Sequence, residues 1–217
     1  MADRARKASK KRPTYREEAT LLGQGYGLLA GVDEVGRGPI AGPVLAGAVI
    51  LPPRPRGRWV RLVRDSKQMT PKQRDTAFHE IRKAAICWEV GVCTSSEIDQ
   101  LGIAPATRLA MMRALGSLAS RPDFVLLDAF PLPELALPQK AIIRGDSLCL
   151  SIAAASIMAK VTRDQIMRRE DAWYPGYGFA EHKGYCTRRH MRNLRKLGPC
   201  PIHRASFSPI KEMVAAG

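Results

Sequence analysis

Residues 28–51 read LLAGVDEVGRGPIAGPVLAGAVIL. Two apolar runs, 28–32 and 43–51, flank a stretch punctuated by Gly36, Gly38, Pro39 and Gly42, and this predicts two strands joined by a Gly-rich turn. The first run ends in Asp33 and Glu34, two carboxylates placed where the chain leaves the core. Consecutive strand residues point to opposite faces, so the two acids can face one point only where the strand ends or bulges. Gly36 and Gly38 make that departure cheap.

Outward from this stretch, 52–58 (PPRPRGR) has three prolines and no other apolar residue, and reads as a surface loop. Thr70-Pro71-Lys72-Gln73 predicts a helix start: Thr as N-cap, Pro in the first turn and Gln closing a capping box. That helix is expected to run to about 85. A strand is expected over 88–93, a short helix capped by Ser95 or Ser96 before Gly102, and a further helix over 105–118. Phe124-Val125-Leu126-Leu127 is a continuous apolar run of strand length ending in Asp128, the pattern of a strand buried on both faces. A loop over 131–138, a short strand over 140–143, a long helix over about 148–170 and a last helix over 187–197 complete the reading. On the long helix Ile152, Ala155, Ala159, Thr162 and Ile166 form a stripe that packs it close against a sheet. Strands come first and then alternate with helices, so the fold class is α/β or mixed α+β.

Composition narrows the partners. The 217 residues include 35 Lys and Arg against 20 Asp and Glu, a net charge of +15, with 45% apolar residues and 6% aromatics. A chain this long buries a sizeable core without staples, which excludes collagen-like, disulfide-scaffold and wholly disordered classes. No run approaches the roughly 20 apolar residues of a membrane span, and no apolar segment follows the basic N-terminus as in a secretory signal. Five cysteines, Cys87, Cys93, Cys149, Cys186 and Cys200, contain no Cys-x-x-Cys pair and read as small buried hydrophobes in a reducing cytoplasm. Residues 1–12 carry +5 and residues 182–211 carry +8, so the two ends hold 13 of the 15 net charges. Basic ends on a near-neutral body suit a polyanion ligand, because neutralised phosphates release counterions; a solvated tail is the plainer alternative.

Four carboxylates stand out by context: Asp33, Glu34, Asp128 and Asp146, the last just ahead of the long helix. Converging carboxylates raise one another's pKa and need protons or cations to persist together. An oxygen-only set selects hard divalent ions such as Mg²⁺ or Mn²⁺, which points to metal-assisted phosphoryl chemistry on a nucleic acid. Asp146 alone also reads as an ordinary helix cap.

The block Gly31 to Val44 (GVDEVGRGPIAGPV) resembles the opening signature of the type 2 ribonucleases H, the bacterial ribonuclease HII family. The likeness continues through Asp65-Ser66-Lys67, Asp128, Gly145-Asp146-Ser147, Ser151 to Lys160, Arg163-Asp164, His182 to Tyr185 and His203 to Phe207, and spans 31–209. It implies a ribonuclease H-like fold, a mixed central sheet flanked by helices, with a helical C-terminal extension from about 172. Residues 16–217 then form the catalytic domain, and 1–15 a flexible basic arm outside the resemblance.

The same resemblance implies an endonuclease that hydrolyses the RNA strand of RNA–DNA hybrids and cuts 5′ to ribonucleotides embedded in duplex DNA, leaving 3′-hydroxyl and 5′-phosphate ends. The implied role is ribonucleotide removal in replication and repair, by a monomer, with two divalent ions, Mg²⁺ or Mn²⁺, on Asp33, Glu34, Asp128 and Asp146. Gly36-Arg37-Gly38 falls where the family reads the ribose 2′-hydroxyl, Tyr185 where it packs on the neighbouring sugar and favours deoxyribose, and Lys67 on a phosphate-side lysine. Arg37 also reads as a plain phosphate contact, Tyr185 as a core tyrosine and Lys67 as a solvated loop lysine. His182, His190 and His203 lack metal-ligand spacing and read as structural or phosphate-facing. Two departures lie beside the site: Ala129 follows Asp128, and Cys186 follows Tyr185, where the family often has glycine.

Ribonuclease HIII, which usually carries an extra N-terminal domain, is disfavoured because about 30 residues precede the first motif. A non-cleaving nucleic-acid-binding module on the same fold conflicts with an intact carboxylate set. A small-molecule phosphohydrolase has no use for the charge at the chain ends.

Overall fold

The computed structural model describes residues 12–215. The elements in chain order are α1 (Arg16–Gly23), β1 (Leu29–Val35), β2 (Val44–Ile50), α2 (Pro71–Ala84), β3 (Cys87–Cys93), α3 (Ser95–Leu101), α4 (Ile103–Ser117), β4 (Phe124–Asp128), β5 (Gln139–Ile142), α5 (Gly145–Leu148), α6 (Leu150–Trp173), α7 (Phe179–His182), α8 (Arg188–Leu197) and α9 (Ile210–Ala215). Two single 3₁₀ turns, Arg58–Arg61 and Ser66–Gln68, lie between β2 and α2.

The strands form one mixed sheet in the order β3-β2-β1-β4-β5. β1 and β2 pair antiparallel, as the Gly-rich turn predicts, and β2 pairs antiparallel with β3. β4 joins β1 in parallel register and β5 joins β4 in parallel. β2 is buried at every position and β4 at all but its terminal Asp128. This is the α/β architecture expected, with helices on both sheet faces.

On one face α4 packs with Ala106, Ala110, Met111 and Ala114 against Val32, Ala46, Ala48 and Leu127. On the other, α6 and α2 pack against Val49 and Leu51. The approach of α6 is closer than its small-residue stripe alone requires, because the sheet contributes glycines. A Cβ on Gly31 would collide with the Ser151 backbone, and one on Gly47 with the Ala155 carbonyl. Ile152, Ala155 and Ala159 are fully buried, but Thr162 and Ile166 are half-buried and burial passes to Arg163 and Met167. Truncating a wholly buried core residue such as Leu127 to Ala removes roughly 2–5 kcal/mol.

Several local expectations change. The capping box at Thr70 and Gln73 is present, but α3 is capped by Thr94, with Glu97 closing its box, rather than by a serine. The expected helix over 148–170 is two elements: α5 ends at Leu148, Cys149 is extended, and α6 runs from Leu150 to Trp173. Asp146 therefore sits inside the one-turn α5. Helices α1, α7 and α9 lie outside the sequence reading. Two of the five cysteines, Cys93 and Cys149, are buried, and Cys186 is exposed because the turn after Tyr185 faces solvent.

Of the arm expected over 1–15, residues 1–11 lie outside the described residues. Pro13 is buried, and Thr14 bridges Cys149, donating its N–H to the Leu148 carbonyl (3.0 Å) and accepting from Leu150 N–H (3.0 Å). Glu18 of α1 is 1% exposed, and its Oε1 accepts from Ser151 N–H (2.8 Å), so α1 caps α6 across the break. Among the described residues no helix is long and apolar enough to cross a membrane.

Candidate active site

Strand register assembles the acidic site. Val32 is paired with Leu127 across the parallel β1–β4 ladder, so the next residues, Asp33 and Asp128, emerge side by side at the same edge of the sheet. Asp128 is aligned in turn with Ile142 of β5, after which Arg144, in the left-handed region at φ 59°, turns the chain into α5 and delivers Asp146. One carboxylate oxygen from each of Asp33, Asp128 and Asp146 lies within 4.8 Å of the others. Ala129 leaves β4 at φ 64°, a left-handed conformation that strains an alanine and suits a glycine.

The three aspartates differ in surroundings. Asp33 is 3% exposed and accepts from Glu34 N–H (2.8 Å). Asp128 accepts from Gly145 N–H at 2.7 Å. Asp146 is 5% exposed and accepts from Lys67 Nζ at 2.9 Å. Burial pushes the Asp33 carboxyl well above the usual range, and the charges of Glu34 and Asp128 push it further. Burial likewise raises Asp128, against the pull of the Gly145 N–H, with Asp146 adding to the rise. Burial alone would lower Lys67, but its hydrogen bond and attraction to Asp146 prevail and raise it.

Glu34 stands beside this cluster and outside it. Its Oε1 lies 3.5 Å from Arg37, its Oε2 is buried with no hydrogen-bond partner, and burial raises its carboxyl despite Arg37. The alternation of strand faces explains why three of the four expected acids converge and the fourth flanks them. The donor set fits hard divalent cations: the three aspartates are all oxygen and mutually repelling, and the orphaned buried Oε2 of Glu34 lies at their flank.

The remaining predicted residues surround the acids. The Lys67 loop is braced from three sides: Asp65 accepts from Lys67 N–H (2.9 Å), Ser66 Oγ meets Ser156 Oγ (2.9 Å), and Arg74 donates to the Ser66 carbonyl (3.0 Å). The Lys67 side chain is 76% exposed, a free approach for an anion. Gly36, at φ 94°, turns the chain off β1. Arg37 is half-exposed and lies over the Phe130 ring at 5.5 Å. Gly38 faces Tyr185, and a Cβ there would sit 3.9 Å from Tyr185 Cε1. Tyr185 is 44% exposed, so the reading of it as a core tyrosine falls.

His182, His190 and His203 are buried at 8%, 0% and 5% exposure, stacked among Tyr177 and Phe179. Their burial among aromatic rings is what the structural reading expects. Arg163 and Arg204, both 0% exposed, fall within stretches that carry the resemblance, but sequence reasoning gave neither a role. Arginine is read as surface by default, and besides the resemblance the signal was the position of Arg163, four residues after Ala159 on the same helix face.

Comparison with known proteins agrees with this geometry. The ribonuclease HII family model matches residues 30–210. The chain is 54% identical over 201 residues to a ribonuclease HII of Dehalococcoides mccartyi, covering 93% of this chain and 95% of that one. Among solved structures, ribonuclease H2 from Pyrococcus horikoshii superposes with a TM-score of 0.75 at 27% identity, covering 87% of this chain and 98% of the other. The ribonuclease HII of a PCNA complex from Archaeoglobus fulgidus gives 0.64 at 25% identity, covering 78% and 87%. With the ribonuclease H-like sheet, the carboxylates at its edge and a family match over most of its length, this chain belongs to the ribonuclease HII family and is an endoribonuclease.

Proposed function

We propose that this endoribonuclease hydrolyses the RNA strand of RNA–DNA hybrids and cuts duplex DNA on the 5′ side of an embedded ribonucleotide, leaving 3′-hydroxyl and 5′-phosphate ends, as a step in ribonucleotide removal during replication and repair. The observation that carries this reading is the convergence of Asp33, Asp128 and Asp146 within 4.8 Å at a sheet edge, beside the facing pair Gly38 and Tyr185.

Asp33, Asp128 and Asp146, with Glu34 at their flank, are the residues that would hold two Mg²⁺ or Mn²⁺ ions. Such ions supply an activated water for attack at phosphorus and charge stabilisation for the departing 3′ oxygen. The protein's own groups do the rest. Lys67 offers its ammonium to a phosphate, and its bond to Asp146 keeps that carboxylate oriented. The backbone of Gly36, Arg37 and Gly38, turned by Gly36 where Arg163 and Pro43 leave no room for a Cβ and open at Gly38, approaches the ribose and reads its 2′-hydroxyl. Tyr185 stacks on the adjacent sugar, where a deoxyribose fits and a 2′-hydroxyl crowds the ring. A single chain supplies all these groups, which supports a monomeric enzyme.

The test is a DNA duplex carrying one ribonucleotide in a labelled strand, incubated with Mg²⁺, Mn²⁺ or chelator beside an all-DNA control. One metal-dependent cut 5′ to the ribonucleotide is expected. Binding without a cut under either metal would make the chain a non-cleaving module.

A further inference from the structure

The segment 200–207, from the C-terminal extension, crosses the turn that follows β1. Gly42 N–H donates to the Ile202 carbonyl (2.8 Å) and Arg204 N–H to the Ile40 carbonyl (2.9 Å), so the two backbones run as a short antiparallel pair. From this segment two consecutive side chains reach in different directions.

The Arg204 guanidinium donates to the carbonyls of Gly42 (3.0 Å), Arg37 (2.9 Å) and Gly36 (2.5 Å). Among the described residues it has no carboxylate partner, and it rests over the Phe207 ring at 5.0 Å. All three acceptors belong to the stretch containing the ribose-reading glycines. Asp99 holds the segment from outside, accepting from Ala205 N–H and Ser206 N–H, each at 2.8 Å.

His203 reaches the other half of the reading site. Its Nδ1 accepts from Cys200 N–H (3.0 Å), which leaves its proton on Nε2, facing His190 Nε2 at 3.1 Å. His190 is then protonated on Nδ1 and donates to the Tyr185 carbonyl at 2.9 Å. Arg163 ties the halves together, donating to Pro43, Ala41 and Lys183.

We infer that His203 and Arg204 are positioning residues that hold Tyr185 and the Gly36-Arg37-Gly38 backbone in fixed register with each other, and so set the enzyme's selectivity for an RNA-to-DNA junction over continuous RNA. The inference rests on the substrate reading proposed above. A guanidinium fork suits the task because it is rigid and planar and satisfies three carbonyls at once, whereas an ammonium is a point donor on a flexible stem. The histidine pair suits it because each ring, neutral and buried, has both nitrogens committed.

The test measures kcat and KM on two substrates, a DNA duplex with one ribonucleotide and a hybrid with an all-RNA strand, for Arg204→Lys, His203→Asn and His203→Gln. Arg204→Lys keeps the charge but loses the fork. His203→Asn keeps the acceptor for Cys200 but withdraws the donor from His190, and His203→Gln restores a donor at that reach. Expected are a tenfold or greater fall in the kcat/KM ratio of junction to hybrid for Arg204→Lys and His203→Asn, carried mainly by KM, and recovery of most of that ratio in His203→Gln. An equal loss on both substrates, or a His203→Gln as unselective as His203→Asn, overturns the inference. Hydrogen exchange at the Ile40, Gly42 and Tyr185 amides separates this from failure of the substrate reading. If the wild type cuts neither substrate, the substrate reading fails, and junction selectivity falls with it. Faster exchange at these amides in Arg204→Lys then leaves the bracing role standing alone, and unchanged exchange removes that too.

Discussion

Two buried charged regions lie a few residues apart in this molecule and are built on opposite principles. At the sheet edge, Asp33, Asp128 and Asp146 are pressed together with Glu34 beside them, and one buried carboxylate oxygen has no partner. Behind the turn that follows β1, Arg163 and Arg204 are equally buried, yet between them they meet six carbonyls. The first region leaves its electrostatic demand open for cations and substrate to meet. The second has met its demand internally, and the result is rigidity rather than reactivity. The two should therefore respond oppositely when broken.

The largest effect is expected at the acids. Asp33→Asn should reduce cleavage by at least about 1,000-fold while duplex binding, read by fluorescence anisotropy, survives. The same substitution should raise the melting temperature of the metal-free protein, because it removes one of several repelling buried carboxylates; a lowered melting temperature would show that Asp33 holds the fold together. Arg163→Met should do the reverse, destabilising by about 3–5 kcal/mol in urea titrations because the carbonyls of Pro43, Ala41 and Lys183 lose their donor.

The histidines sharpen the contrast through pH. Burial pulls both His190 and His203 down to about 4 from the ordinary 6.5. The unfolded chain therefore takes up protons that the folded chain refuses, so their contribution is complete above pH 6.5 and is lost as pH falls toward 4. The decline should reach about 2 kcal/mol for this hydrogen-bonded pair, read from urea midpoints between pH 7 and 4.5. His203→Gln should shallow the decline, and an unaltered slope would assign it to other groups. The smallest effect is at Ala129: its left-handed backbone means Ala129→Gly should stabilise by about 0.5 kcal/mol, strain relief slightly exceeding the added chain entropy.

How legible each region was in the sequence follows from the same physics. The acids announced themselves because a carboxylate ending an apolar strand is conspicuous, as at Leu127 and Asp128, and Thr70 with Gln73 declared the start of α2 through a local capping box. The bracing region stayed hidden because its partners are backbone carbonyls, which carry no sequence signal, as much as 168 residues apart along the chain. Helix α1 was missed for a related reason: its buried residues are Glu18 and Leu21 alone, too few for an apolar period. The break at Cys149 is set by Thr14 and Glu18, which lie far away in sequence, and helix propensity around 145–152 gives no hint of it.

That break has a mechanical consequence. Thr14 is zipped to Leu148 and Leu150, one turn of chain from Asp146, so tension applied to the N-terminal segment loads the turn bearing Asp146 before it loads any strand of the sheet. Shortening the chain up to residue 11 leaves this anchor in place, whereas shortening it past Thr14 cuts the tether of the very turn that completes the acidic cluster.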